Sequence, residues 1–357
     1  MAPTAEWIVG GHPLPNAASF RAGRRALDVA RSVRGGELLV LLVSGGASSL
    51  LEDPAVPPRD YAATMRRLVR AGLRIEELNA VRKHLSNVKG GRLALEAAAR
   101  GVPVVALLLS DVPSDGLDTI GSGLAAPDTT TFGEAIAILE KHRELLPDLP
   151  RSALRHLRDG AAGTCAETPK PGILPFARVT NAIVASNRTA LAAMEAAATH
   201  LGLPVRMLPD PLRGEAWKAG QDFAHEVLRS GSRRGTAVVL AGGETTVRVR
   251  GRGNGGRNQE FALGAATVLR GKRALVLAFG TDGIDGQSRN AGAVVDGRTM
   301  ESAERARIDV ERVFAASDSA AFFRKVGGAI RTGPTGTNVA DVAVGIAYGR
   351  RNRTRGP

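Results

Sequence analysis

The sequence predicts an α/β protein of two lobes, each a mostly parallel or mixed sheet flanked by helices, with an interdomain cleft. Three observations predict it. First, short apolar runs at 38–43, 103–109, 237–240 and 274–279 each stop at a glycine- or acid-bearing turn, as strands of a buried sheet do. Second, one order of signals occurs twice. The first strand ends in Ser44-Gly45-Gly46, Gly90-Gly91-Arg92 follows, and the next strand ends in Ser110-Asp111 and, further on, Asp115-Gly116. In the second half a strand ends in Gly242-Gly243-Glu244, Gly255-Gly256-Arg257 follows, and the next strand ends in Thr281-Asp282-Gly283-Ile284-Asp285-Gly286. Strand ends of open α/β sheets are where ligands bind, so both sets are expected to face one cleft. Third, 357 residues suffice for two domains.

In chain order, Gly10, Gly11, Pro13 and Pro15 make the start a loop. Asn16 caps a helix over 17–32 with Phe20, Ala26-Leu27 and Ala30 on one face. The run 38–43 reads as a strand covered on both faces. A helix is expected over 61–71. Arg82, Lys83, His84, Lys89 and Arg92 then crowd around Gly90-Gly91. This segment is either a helix and turn presenting cations to an anion, or a surface helix with a glycine C-cap. Strand 103–109 leads to a loop at 121–128, a helix at 131–141 and a mobile Pro- and Gly-rich excursion at 147–175. Segments 176–184, 187–201 and 204–208 read as a βαβ unit. A helix at 215–228 leads to a linker at 230–235. The expected domains are 1–229 and 230–349, with a basic tail at 350–357.

Composition narrows the function. The net charge is +13, with seven lysines against 41 arginines. The arginines are scattered and aromatics are 4% of residues, so the charge reads as a solvated surface rather than a nucleic-acid footprint. Such a field still favours anionic substrates. No run of eighteen apolar residues exists, so no membrane span is expected, and no leader pattern opens the chain. The single Cys165 excludes an internal disulfide framework and a cysteine zinc site. The expectation is a cytoplasmic protein without nucleic-acid or membrane partners; a homodimer is compatible with it.

The chemistry is carried by loops. Gly251-x-Gly253-x-x-Gly256 matches the dinucleotide fingerprint. Against it, 246–250 alternates apolar and polar residues, as an antiparallel or edge strand does, and no acid follows at the fingerprint spacing. No Walker lysine motif or kinase H-R-D loop is present. Asp282 and Asp285, like Asp111 and Asp115, sit close together on glycine-flanked loops and suit Mg²⁺; the plainer duty for such residues is turn and cap formation. His84 is a general-base candidate or a structural histidine. Residues 332–341 form a loop dense in hydroxyls and glycine.

Taken together, His12-Pro13-Leu14-Pro15, Ser44-Gly45-Gly46, Asn79-x-Val81-Arg82-Lys83-His84-Leu85-Ser86, Lys89-Gly90-Gly91-Arg92-Leu93-Ala94 and Ser110-Asp111-Val112-Pro113 resemble the N-terminal domain of bacterial-type glycerate 2-kinases. Gly242-Gly243-Glu244-Thr245-Thr246-Val247, Gly255-Gly256-Arg257-Asn258-Gln259-Glu260, Thr281-Asp282-Gly283-Ile284-Asp285-Gly286 and the 332–341 loop resemble the C-terminal MOFRL domain of that family. The motifs come in family order over nearly the whole chain.

The resemblance implies transfer of the ATP γ-phosphoryl group to the 2-hydroxyl of D-glycerate, with Mg²⁺. It implies Arg257 and Asp282 as catalytic residues, and Asp282 with Asp285 at the metal. Ser44, Gly45, Gly46, Gly242, Gly243, Glu244 and Asn258 would hold the nucleotide; Lys89, Arg92 and Asp111 would hold glycerate. Two alternatives stand beside it. One is a nicotinamide-dependent hydroxypyruvate reductase, a label the family also carries. The other is a binding homologue without catalysis, because the family's glycine–lysine motif ahead of these segments is absent here and the first domain reads as shortened at its start. Leu124 and Ser114 depart from the family's Pro and Gly.

Overall fold

A computed structural model of the chain describes residues 5–112, 114–231 and 235–349. They form two compact units, Met1–Val184 and Ala185–Pro357. Parts of the expected linker (232–234), the tail 350–357 and Pro113 lie outside the described residues. Among the described residues no helix is long and apolar enough to cross a membrane.

The first unit contains helices α1 (Ala17–Ser32), α2 (Ala47–Leu50), α3 (Pro58–Arg70), α4 (Ile75–His84), α5 (Arg92–Ala98), α6 (Phe132–Lys141) and α7 (Arg151–Ala161). Its three-stranded sheet has the order β1 (Leu39–Val43), β2 (Val104–Leu109), β3 (Val179–Ala185). β1 and β2 are parallel, with Leu39 opposite Val104. The α1 bounds match expectation because Asn16 accepts from Ser19 N and the Ser19 side chain answers the cap backbone. Leu27 and Ala30 of α1 and Leu93, Ala94 and Ala97 of α5 pack on Val104, Ala106 and Leu108. A second core joins α3, α4, α6 and α7 through Tyr61, Leu68, Val81, Phe132, Leu139 and Leu157.

Several expectations are corrected. β1 is an edge strand rather than one covered on both faces: Leu42 is 78% exposed. The apolar run was right for a strand, but coverage depends on what the rest of the chain lays over it. The 147–175 stretch is no loose excursion. Pro150 caps α7, whose Ala153 and Leu157, one turn apart, are buried. Helix α4 is neither of the two forms expected, since every residue from Glu77 to His84 is buried.

The second unit contains α8 (Asn187–His200), α9 (Ala216–Ser230), α10 (Arg257–Leu269), α11 (Thr299–Arg305), α12 (Val310–Ala316) and α13 (Ser319–Val326). Its strands are β4 (Val205–Met207), β5 (Ala237–Gly243), β6 (Ala274–Gly280), β7 (Gly292–Asp296), β8 (Ala329–Ile330) and β9 (Asp341–Ala347). They make one mixed sheet in the order β4-β5-β9-β6-β7-β8. β4 runs parallel to β5, whereas β9 lies antiparallel between β5 and β6. The 176–208 segment is therefore not a βαβ unit: β3 and β4 belong to different sheets. This is also why the units divide after Val184 and not at the expected 229/230 position; α8, β4 and α9 serve the second sheet. Residues 246–250 form no strand, only a bridge from Glu215 to Thr246.

Helices α9 and α10 cross closely over this sheet. A methyl on Gly220 would sit 1.9 Å from Phe261 O, and one on Gly264 would sit 2.2 Å from Trp217 O. Only hydrogen at these positions lets the backbones approach, which seats α10 and its N-terminus above β6 and β7.

Candidate functional site

In the second unit, the end of β5, the start of α10, the 281–286 loop after β6 and the start of β9 converge. Arg257, the first residue of α10, is their centre. Its Nε and NH2 reach the two carboxylate oxygens of Asp341 at 2.5 and 3.1 Å, and its NH1 reaches Glu244 Oε1 at 2.5 Å. Burial pulls the guanidinium pKa down, but the Asp341 hydrogen bond and the charges of Asp341, Glu244 and Asp285 together outweigh it and the net shift is upward, so the charge is permanent. These bonds engage three of the five N–H donors of an arginine, in the fork geometry that suits carboxylate or phosphate.

Asp341 is itself held. Asn187, the first residue of α8, donates from Nδ2 to Val339 O at 2.8 Å and to Asp341 O at 2.9 Å. Gly242 makes room for it, because a methyl there would lie 1.8 Å from Asn187 Oδ1. Sequence reasoning quoted the 332–341 loop but singled out neither Asp341 nor Asn187. Nothing local flags Asn187, whose partners lie more than 150 positions away in the chain.

The two loop aspartates have different fates. Asp285 is buried, and its carboxylate accepts from Asn258 N and Gln259 N at 2.9 Å each and from Gln259 Nε2 at 2.9 Å. It satisfies the free amides of the first turn of α10 from outside the helix. Burial pushes its pKa up against those bonds. Gln259, Ser288 and Asn290 continue the buried network. Asp282 is half-buried and uses Oδ1 to accept from Ile284 N at 3.0 Å. The expected Asp282–Asp285 metal pair therefore reduces to Asp282, since Asp285 is spent on the helix. Among the described residues no group of three or more His, Cys, Asp or Glu could hold a metal ion.

The glycine loop 251–256 serves packing. Gly253 N donates to Ala316 O at 2.8 Å and Asn254 N to Asp318 Oδ1 at 3.0 Å. A methyl on Gly256 would meet Asp285 Oδ1 at 2.3 Å. With the α10 amides already donated to Asp285, the seat a dinucleotide pyrophosphate would need is taken. The Gly251 fingerprint is thus explained without a nicotinamide cofactor.

Glu260, one turn beyond Arg257 on α10, was not among the expected site residues. It is 4% exposed, and among the described residues its Oε1 has no hydrogen-bond partner. With Val247, Val249, Arg252 and Arg257 it lines a cavity of about 600 Å³. Burial above all pushes its pKa up, to about 7, with Arg250 opposing and Glu215 and Asp285 adding to the rise. The native state thus holds this proton more tightly than the unfolded chain. The resulting stability is present below the ordinary value of 4.5 and is lost as pH rises to about 7. Glu260→Gln removes the penalty. At about pH 8 it is expected to exceed wild type by up to about 3 kcal/mol in thermal or urea unfolding, and to match it at about pH 4.

The first unit binds its cations internally. Lys83 Nζ contacts Asp118 and Asp128 at 3.1 and 3.2 Å. The His84 ring faces Ala80 O at 2.7 Å through Nδ1 and Glu167 Oε1 at 2.9 Å through Nε2; it is fully buried, which pulls its pKa down. Lys89, also fully buried, donates to Leu51 O at 2.9 Å and pairs with Glu52 at 3.5 Å. Burial lowers its pKa to about 8. Arg92 holds the carbonyls of Lys83, Ser86 and Ala166. Lys89 and Arg92, expected at glycerate, tie down the chain around Gly90-Gly91 through these bonds; Lys89 is buried and Arg92 half-buried. Arg82, Asn79, Ser122 and Ser48 form a hydrogen-bonded chain beside the Ser44-Gly45-Gly46 turn, where Gly46 takes φ 82° ahead of α2. Ser44 is exposed. Asp111, at the end of β2, is half-buried, and burial raises its pKa.

Comparison with known proteins extends over both units. Residues 2–158 match a family described as a domain of unknown function, DUF4147, and residues 237–341 match the MOFRL family. A glycerate 2-kinase of Pyrococcus horikoshii is 38% identical, across 97% of this chain and 79% of its own length. A protein of Agrobacterium vitis with a provisional hydroxypyruvate reductase name is 38% identical, across 94% of this chain and 76% of its own. The crystal structure of a glycerate kinase from Thermotoga maritima superposes with a TM-score of 0.83 at 34% identity, covering 95% of this chain and 80% of that one.

Proposed function

The chain belongs to the glycerate 2-kinase family, and on that premise we propose that it transfers the γ-phosphoryl group of ATP to the 2-hydroxyl of D-glycerate. The observation that carries this reading is the Arg257 cluster. A permanent guanidinium held bidentately by a buried carboxylate, at the rim of a cavity, is a preorganised stabiliser of phosphoryl charge. Phosphoryl transfer asks for positioning and charge neutralisation more than covalent chemistry.

In this reading Arg257 keeps its Asp341 contacts and turns NH1 from Glu244 to the transferring group. The α10 network through Asp285 keeps Arg257 at a fixed height. Asp282 would hold the reacting hydroxyl or the magnesium ion; magnesium, bound with the nucleotide, would neutralise phosphate charge. Gly242 and Gly243 let Asn187 and Leu212 pack directly against the end of β5. Asn258 donates to Asp285 and supports the helix start.

The test is product analysis. With ATP, Mg²⁺ and D-glycerate, ADP is expected in equal amounts with 2-phosphoglycerate. NADH consumption on hydroxypyruvate without ADP release overturns the reading.

A further inference from the structure

Glu260 is the group in this site without an explanation. A buried carboxyl normally has its oxygens bonded, and leaving one bare costs stability. Its neighbours are already committed elsewhere: Arg250 pairs with Glu215 and stacks 4.1 Å over Phe314, and Arg257 pairs with Asp341 and Glu244. Among the described residues no donor reaches its Oε1, which is itself closed to solvent in this state, while the side chain as a whole lines open space.

That space has a composition. Val247 and Val249 supply apolar surface, and Arg252, exposed, lines the same cavity as Arg257. At about 600 Å³ it falls in the range that encloses a drug-sized ligand. A three-carbon hydroxy acid would leave most of it empty, whereas a nucleotide has a flat apolar base for the valines and phosphates for the arginines. Its sugar hydroxyls are the donors that a carboxylate acceptor lacks.

We propose that Glu260 accepts a hydrogen bond from a ribose hydroxyl of the nucleotide, placing the nucleoside in the cavity between Val247, Arg252 and α10. The proposal rests on the phosphoryl-transfer reading of this site. It makes Glu260 a specificity residue that is left unpaired until the nucleotide arrives, and it accounts for a carboxyl that burdens the empty protein.

The experiment is calorimetric titration of the wild-type chain, Glu260→Met and Glu260→Gln with ATP, 2′-deoxy-ATP, 3′-deoxy-ATP and, separately, D-glycerate. Because Oε1 makes no internal bond, both variants are expected to melt no lower than wild type at about pH 8. Wild type is expected to bind ATP at least about ten-fold tighter than one of the deoxy analogues, a hydrogen bond's worth. In Glu260→Met that discrimination collapses, and in Glu260→Gln, which keeps one acceptor oxygen, it shrinks. Equal affinities for ATP and both deoxy analogues in wild type overturn the proposal. So does discrimination that survives in Glu260→Met, or a loss confined to D-glycerate. These outcomes are separate from failure of the kinase reading, which is read from product formation by wild type alone.

Discussion

Arg257→Ala is expected to lower the turnover of ATP and D-glycerate about 10³-fold, with kcat and kcat/KM falling together. An arginine that stabilises transferring phosphoryl charge contributes on that order, and an interaction made only in the transition state leaves KM nearly unmoved. Arg257→Lys is not a mild change here. Lysine offers a point charge where the structure uses a planar fork, with Nε and NH2 on Asp341 and NH1 on Glu244. It is expected to recover little. Asp341→Asn leaves the guanidinium but loosens its seat, and a loss of about ten- to hundred-fold would assign Asp341 to positioning. Steady-state ADP release on all three variants, with a melt to show each is folded, makes the check. If Arg257→Ala raised KM for D-glycerate and left kcat intact, Arg257 would bind ground-state substrate instead.

Asp285→Ala is expected to act on stability before activity. It would leave the first-turn amides of Asn258 and Gln259 and the Gln259 side chain without their acceptor in a buried place. Two orphaned buried donors alone cost about 2–6 kcal/mol, which lowers the melting temperature of a unit this size by about 10 °C. Asp285→Asn is expected to fall between. Its oxygen still serves one residue, while its NH2 confronts donors of the other. Both losses should be the same with and without Mg²⁺. An unchanged melt together with a raised Mg²⁺ requirement would return Asp285 to the metal.

How much of this was readable in advance depends on how local the cause is. The α1 helix was legible to its end residues because its cap lies within three positions of Asn16. Strands β2, β5 and β6 were legible from unbroken apolar runs ending at glycine- or acid-bearing turns. Arg257 and Asp282 stood out because glycine and acid cluster around them in a short span. Helix α7 was missed because the prolines and glycines around it concealed two buried apolar positions. A cation beside a glycine pair looks the same in sequence whether it faces solvent or a carbonyl; only the fold shows Lys89 buried on Leu51 O and Arg92 half-buried on the carbonyls of Lys83 and Ser86.

By itself, then, the sequence determined the α/β class, many of the helix and strand positions up to β6, and the motifs that carry the family resemblance, because periodicity, caps and turn chemistry act over a few residues. Only the tertiary structure decided that β9 inserts antiparallel between β5 and β6. That insertion brings Asp341 to Arg257 across 84 positions of chain. It also decided that Asp285 caps α10 and that Glu260 faces a cavity with an oxygen unpaired. Such pairings depend on which distant backbone fills the space beside a side chain, and no local pattern encodes that.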